Sequence, residues 1–515
     1  MSPRTNYHAA VWDEGLIVEQ GYPGRRGAYA PPVEAEVAAV GGLDELLPSG
    51  VRRASPPRLP ELSEFEVLRH YLRLSQETLG MMGVDLFGTC TMKYNPVLND
   101  QLARRPELAE VHPLQDERTI QGLLQAIYEF DLLLRELSGM DRFVFQPGGG
   151  ADAAYLSVCM MRAYHDAHGE LDRRDEIVTT IQAHPCNAAT AAAGGFKVIT
   201  LPLTQCGYAS LEALRAVLSD RTAALMINNP DDLGLYNPEI TEWVEAVHRV
   251  GGLCFYDHAN FNGMMTKIRA RELGFDACMF MLHKTFGAPK GGGGPAVGAY
   301  GCTAELEEFL PGPVVDRDGE GFRLSIPPRS TGPVREFLGN LPQVVRAYSW
   351  TLAMGGDGLA EASDVSVLAA NYIDARLTKI RGVTRALPHL GGPRLEMTRY
   401  SLQTLTEETG VTAVDVQNRM TDFGIDAMWL AHEPWFVPEP FTPEVGEAWS
   451  KEDVDEWIDV LALVCEEAYR DPEAVRQSPF RHATRRANPS SLGDPRRWAT
   501  TWRAFQRKGL RSPAD

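Results

Sequence analysis

The 515-residue sequence contains no apolar run approaching the ~18 residues of a membrane-spanning helix, so no membrane insertion is expected. Positive charge is in short supply: 50 Lys and Arg face 69 Asp and Glu, a formal net charge of -19. That balance disfavours nucleic acid or an anionic membrane surface as the main partner. Local basic clusters exist, notably Arg485, Arg486, Arg496 and Arg497, but they are diluted by acidic neighbours and read as a solvated face. Cysteines do not pair up: the eight residues include no CxxC and no other metal-ligand spacing. No metal site is therefore expected, and a reduced, cytoplasmic setting is the simplest inference. Met1 leads into Ser, Pro, Arg and Asn rather than an apolar core, so no export signal is expected either.

What is present is an α/β pattern without internal repeats. Residues 1–62, punctuated by Pro and Gly, read as an extended N-terminal arm that wraps another surface. Helical periodicity begins at Ser63, with Glu66 three residues on as in a capping box. Residues 63–335 form a large domain in which apolar strands at 142–145, 177–181, 197–201, 224–227 and 253–256 alternate with amphipathic helices, the pattern of a mostly parallel sheet. Residues 336–515 are expected to form a smaller C-terminal domain, with helices at 344–354, 360–377, 413–423 and 451–469 and a small sheet.

The chemistry centres on His283-Lys284-Thr285-Phe286, set between the apolar run 277–282 and a glycine-rich loop that includes the run 291–294. A lysine where a strand ends at a cleft can form a Schiff base with pyridoxal 5'-phosphate (PLP), and nearby glycines leave room for a ring. A surface lysine beside a flexible loop fits the tetrapeptide as well. A second glycine turn, Gln146-Pro147-Gly148-Gly149-Gly150-Ala151, joins the strand at 142–145 to a helix. Such a turn offers free N–H groups to a phosphate at a helix N-terminus, although tight turns also use glycine for steric reasons. Asp257 closes the strand at 253–256, where α/β sheets bind ligands, 27 residues before Lys284. It would keep a pyridine nitrogen protonated. By the same strand-end logic His184 and His258 are placed in the crevice as ring-stacking or proton-transferring groups; the alternative is a histidine satisfied by a backbone hydrogen bond. Arg394 and Arg399 are candidates to grip a substrate carboxylate, or are structural.

These motifs, taken together and in order, resemble the glycine dehydrogenase (decarboxylating) subunit 2 family, the P-protein of the glycine cleavage system in its split form. Gly88-Thr89-Cys90-Thr91-Met92-Lys93-Tyr94-Asn95-Pro96 is similar to the family's GSCTMKYNP. His112-Pro113-Leu114-Gln115, Asn229-Pro230, Leu233-Gly234-Leu235, Asp257 with Ala259 and Asn260, His283 to Phe286, the stretch 291–295 and Val437-Pro438-Glu439-Pro440 also match, so the resemblance covers nearly the whole chain. It implies the PLP fold type I architecture, with a seven-stranded-type sheet in the large domain. In the family, glycine joins PLP and loses CO2, and its aminomethyl group passes to the lipoyl arm of H-protein, with a homologous subunit 1 as partner. A homodimer or heterotetramer is implied.

Carried onto this chain, the resemblance implies cofactor contacts from Lys284, Asp257, Ala259, Gly149, Gly150, Ala151, Asp152, Asn187 and His283, and substrate contacts from Thr89, Cys90, Asn95 and Arg399. Departures from the family fall around the cofactor. Its QPAAGAHGE becomes the Gly148–Gly150 turn with Asp152 in place of a histidine able to stack on the ring, which brings negative charge instead. Its HGTNPASA becomes His184-Pro185-Cys186-Asn187, without the threonine hydroxyl. Its FSTPHGGGGP becomes Phe286-Gly287-Ala288-Pro289-Lys290 before the glycines. Such losses of polar groups keep two other readings open, a stand-alone PLP enzyme acting on another amino acid and a non-catalytic partner subunit.

Overall fold

The computed structural model describes residues 3–22, 24–25, 34–42, 47–55, 59–78, 84–86, 93–112, 115–289, 296–433, 435–486, 494, 498–499 and 501–507. They fall into two compact units. One comprises Met1–Pro3, Val84–Gln417 and Ala427–Arg476, the other Arg4–Gly83, Asn418–Asp426 and Gln477–Asp515. The boundaries expected at 62 and 335 each lie inside a unit rather than between units.

In the second unit, helix α1 (Glu64–Gln76) starts with the capping box its sequence announces. The Ser63 hydroxyl accepts the Glu66 N–H at 3.3 Å, and the Glu66 carboxylate takes the Ser63 N–H at 2.8 Å. The N-terminal segment lies along this helix. Trp12 donates its backbone N–H to Glu77 at 2.8 Å and its indole N–H to Gln76 at 3.1 Å. Glu14 pairs with His70 at 2.9 Å and Arg73 at 2.5 Å. These contacts tie the N-terminal segment to α1 within the unit that begins at Arg4.

The first unit is built on a seven-stranded sheet: β1 (Arg142–Val144), β2 (Glu176–Thr180), β3 (Lys197–Leu201), β4 (Thr222–Ile227), β5 (Leu253–His258), β6 (Ala277–Met281) and β7 (Gly298–Cys302), in the spatial order β1-β7-β6-β5-β4-β2-β3. All neighbours are parallel except β7, which runs antiparallel to both β1 and β6. Every residue of β4, β5 and β6 is buried. Unbroken apolar strands therefore sit in the middle, where both faces are covered and the ladder is satisfied on both sides.

Pleating divides the core in two. Helices α2 (Gln121–Ser138), α5 (Ile240–Arg249) and α6 (Leu341–Leu377) cover the face that carries Val178, Leu225, Cys254, Cys278 and Phe280. Helices α3 (Gly150–Ala167) and α4 (Pro185–Ala193) cover the face of Ile177, Met226, Phe255 and Met279. Helix α6 breaks at Gly355 (φ 62°, ψ 179°), a left-handed-side backbone open to glycine, which separates the two helices expected at 344–354 and 360–377. Beyond it lie an antiparallel sheet of β10 (Thr384–Arg385), β11 (Tyr400–Ser401) and β12 (Pro440–Phe441) and the helix α7 (Lys451–Arg470). The hairpin β8 (Val314–Asp318) and β9 (Gly321–Ser325) packs Phe322 against Tyr128 of α2, with ring centroids 5.4 Å apart. Among the described residues no helix is long and apolar enough to cross a membrane.

Candidate active site

β5 and β6 are hydrogen-bonded neighbours whose C-terminal ends open on the same edge of the sheet. β6 ends at Met281, and the chain turns sharply, with the N–H of Lys284 bonded to the carbonyl of Met281 at 2.9 Å. Phe286 anchors the turn: it is fully buried against Phe130, Phe280 and Trp350. Gly287 (φ 68°) lets the backbone pass Trp350, since a Cβ there would lie 2.8 Å from the indole. The hydroxyl of Thr285 accepts the N–H of Phe261 at 3.2 Å, which ties the turn to the loop after β5. Lys284 is thus held, buried, at the sheet edge. His283 beside it donates through Nδ1 to the carbonyl of Val297 at 3.1 Å.

Asp257, on β5, is buried, and its two oxygens have separate partners. Oδ1 accepts the N–H of Ala259 at 3.0 Å and Oδ2 accepts the side-chain N–H of Asn187, on α4, at 3.1 Å. Burial pushes its pKa up, against the Ala259 N–H, the Lys284 charge and Asn187. The same Lys284 charge acts on Cys186, His184 and His432. His184 is the N-cap of α4, and its ring accepts the N–H of Cys186 at Nδ1, 3.1 Å away. That bond leaves the proton of the neutral imidazole on Nε2. Burial, then the charges of Lys284 and His432, pull the pKa of His184 down to about 4, so the ring is neutral at pH 7.

His258 takes the opposite course. One residue on from Asp257 in an extended strand, it points to the other face of the sheet, among Tyr256, Phe261 and Phe280. Neither of its ring nitrogens has a hydrogen-bond partner among the described residues. Burial pulls its pKa down to about 3. The expectation that His258 shares the crevice is therefore corrected by the pleat.

At the start of α3, Gly149 is the N-cap and Asp152 lies in the first turn. The carboxylate of Asp152 accepts the N–H of Gly148 at 3.0 Å and pairs with Arg335 at 2.8 Å, so it folds back on the glycine turn.

Arg399 is buried. Its Nε donates to the Thr442 hydroxyl at 3.1 Å, while Nη2 has no hydrogen-bond partner among the described residues and stands 3.7 Å from Asp232. Arg394, by contrast, donates to the carbonyls of Gly391 and Leu390 at 3.3 and 3.2 Å, which makes it a structural clamp for its own loop. Asn95 has a buried Oδ1 without a partner among the described residues. Thr89, Cys90 and the stretch 291–295, with its glycine run, lie outside the described residues.

Sequence reading missed Asp232 and His432. The charge of Asp232 acts on His184, His432, Cys186 and Arg399 alike, and His432 meets His184 edge-on with ring centroids 4.5 Å apart. Asp232 follows a buried Asp231 that accepts the N–H groups of Leu233 and Leu235, so the paired acids read as turn residues. His432 stands in a segment without periodicity. Sequence reading also passed over Lys93. It is buried on Asn262 at 2.7 Å and Glu447 at 2.6 Å over the Trp350 ring, and its place in the GSCTMKYNP-like stretch was the available signal.

A strand-end lysine electrically coupled to a buried strand-end aspartate, in a sheet covered by helices on both faces, defines the class: this is a PLP-dependent enzyme of fold type I. The Aminotransferase class-V family matches residues 141–309. A protein named "Probable glycine dehydrogenase (decarboxylating) subunit 2" from Pyrococcus abyssi is 42% identical over 487 residues, covering 94% of this chain and 95% of its own length. The protein of the same name from Thermococcus kodakarensis is 41% identical over 514 residues, covering 99% and 100%. The chain belongs to the glycine dehydrogenase (decarboxylating) subunit 2 family. Among solved structures, glycine decarboxylase (P-protein) of the glycine cleavage system, in inhibitor-bound form, superposes with a TM-score of 0.72 at 22% identity, covering 85% of this chain and 100% of that one. A NifS-like protein has a TM-score of 0.55 at 16% identity, covering 73% and 97%. Both share the fold.

The residues present fit PLP. A Cβ added at Gly149 would meet nothing within 4 Å, and one at Gly150 only Met279 and Met281 at 3.9 Å, so the first turn of α3 faces open space that can take a phosphate. Asp257 is a buried carboxylate suited to a cationic ring nitrogen.

Proposed function

We propose that this chain is the PLP-bearing subunit of a glycine-cleaving enzyme. Glycine loses its carboxylate as CO2, the aminomethyl group passes to the lipoyl arm of an H-protein, and a homologous subunit 1 completes the assembly in the cytoplasm. The observation that carries the reading is that Asp257 lies near the C-terminal end of β5 and Lys284 just beyond the end of its parallel neighbour β6, in a chain that matches subunit 2 relatives end to end.

In this reading Lys284 would hold the cofactor through its amine, the group type that a substrate amine can replace. Bound there, PLP supplies the electron sink that lets the α-carbon give up its carboxylate. Asp257 keeps a proton on the ring nitrogen, and Asn187 and the Ala259 N–H fix the carboxylate that does so. The N–H groups at the start of α3 take the phosphate. His184, neutral and carrying its proton on Nε2, would offer a hydrogen-bond donor without adding charge. The unmet Nη2 of Arg399 is the donor for the substrate carboxylate, and Asp232 is the counter-charge that a ligand must compete with.

The reading is tested by exchange of labelled bicarbonate into the carboxyl of glycine, with subunit 1 and lipoylated H-protein present. Exchange that depends on both is expected. Absence of exchange under conditions where an authentic P-protein works would sink it. Light scattering of the isolated chain and of its mixture with subunit 1 separates a homodimer from a heterotetramer.

A further inference from the structure

Asp152 raises a problem for the cofactor site. A carboxylate in the first turn of α3 puts negative charge beside the place where a phosphate of charge about -2 would sit. The structure supplies a compensating cation from a remote part of the sequence. Arg335 Nε donates to Oδ2 of Asp152 at 2.8 Å, and the same oxygen accepts the N–H of Gly148 at 3.0 Å.

The guanidinium lies directly on Gly148: a Cβ at that position would stand 2.2 Å from Nε, 2.4 Å from Cζ and 2.5 Å from Nη2 of Arg335. A glycine at 148 is thus needed for an arginine to lie on the turn. The segment that carries Arg335 is itself fastened there. Gln146, buried at the end of β1, accepts the N–H of Val334 at 3.1 Å and donates to the carbonyl of Gly312 at 3.0 Å. Gly339 lies so close to β1 that a Cβ would come within 2.2 Å of the carbonyl of Phe145. Arg335 has no other hydrogen-bond partner among the described residues, and its side chain is 51% exposed, so its Nη groups remain available.

We propose that Arg335 is the cationic arm for the cofactor's phosphate at the start of α3, and that Asp152 and Gly148 hold it in place. The chemistry recognised is a phosphate monoester, bound by a guanidinium that presents planar paired donors. In this arrangement Asp152 acts as the holder of the arginine, which accounts for a carboxylate at a position where the family has a ring-stacking histidine. The proposal rests on the PLP reading.

The test uses the full-length protein stripped of cofactor, titrated separately with PLP and with pyridoxal, which lacks the phosphate, and followed by absorbance and intrinsic fluorescence. Arg335→Gln should raise the Kd for PLP about tenfold or more and leave that for pyridoxal within about twofold, as loss of a charge-assisted contact to the phosphate requires. Arg335→Lys should recover part of the loss, and inorganic phosphate should compete with PLP more weakly in the Gln variant than in the wild type. Pyridoxal binding also reports that the variants fold. Equal weakening of both ligands, or no change in either, overturns the proposal. A wild-type protein that takes up no PLP removes the cofactor reading as well, whereas PLP uptake indifferent to Arg335 removes the proposal alone.

Discussion

Asn187 donates its side-chain N–H to Oδ2 of Asp257 at 3.1 Å, so a helix N-terminus on one face of the sheet fixes a carboxylate at the end of the neighbouring strand layer. Both groups are buried, and the contact orients the only strand-end acid that Lys284 acts on within β5. Asp257→Ala should lower decarboxylation by about 10²- to 10⁴-fold, the range for removal of a group that manages a proton in the reaction. Asn187→Ala, which leaves the carboxylate but frees one oxygen, should cost about 10- to 100-fold. Bicarbonate-exchange rates for the two variants, compared at equal PLP occupancy, check the order.

Lys284 gives a chemical prediction. Borohydride reduction of the wild-type protein, followed by peptide mass spectrometry, should place a phosphopyridoxyl adduct on Lys284. Lys284→Arg keeps the positive charge but cannot form an imine, so it should carry no adduct and should release PLP on dialysis. An adduct on Lys93, the other buried lysine among the described residues, would redirect the assignment.

Two of the depressed histidines, His184 and His258, predict acid sensitivity. Unfolded chains take up a proton at each imidazole near pH 6.5. The folded protein resists protonation until about pH 4 at His184 and about pH 3 at His258. At these two sites the unfolded state therefore binds more protons between these values, and their contribution to stability falls as the pH drops below about 6.5 and levels off only near 3, against the opposite contribution of the buried carboxyls Asp231 and Glu396, whose pKa values are pushed up to about 7. His258→Phe fills the same aromatic surroundings without unpaired nitrogens. It should move the acid-unfolding midpoint to lower pH and raise neutral-pH stability by about 1–3 kcal/mol, with PLP uptake unchanged. Loss of PLP uptake in that variant would return His258 to the site.

Arg399 and Asp232 should respond in opposite senses. Arg399→Gln removes the donor for a substrate carboxylate and should weaken the spectral response to glycine about 10- to 100-fold. Asp232→Asn removes the competing charge 3.7 Å away and should tighten the response to carboxylate-bearing ligands. Methylamine, which lacks the carboxylate, serves as the control: its response should be little affected by either change.

The family was legible from the sequence because long motifs such as the Lys93 and Lys284 stretches stand in order along the whole chain. The sheet was legible for a physical reason. β4, β5 and β6 read as short, largely apolar runs, the pattern of strands in the middle of a sheet buried on both faces. A strand-end acid and a strand-end lysine 27 residues apart then had to meet one edge of that sheet.

Only the tertiary structure could separate Asp257 from His258, because the deciding quantity is the pleat register, which turns adjacent residues to opposite faces. The antiparallel β7 between β1 and β6 was equally hidden, since strand direction leaves no mark on composition. The same holds for Asp232 with Arg399, 167 positions apart, and Asp152 with Arg335, 183 apart. Each is an ion pair whose partners carry no sequence signal for one another. Sequence determines such side chains, but folding alone decides which opposite charges a closed sheet edge brings together.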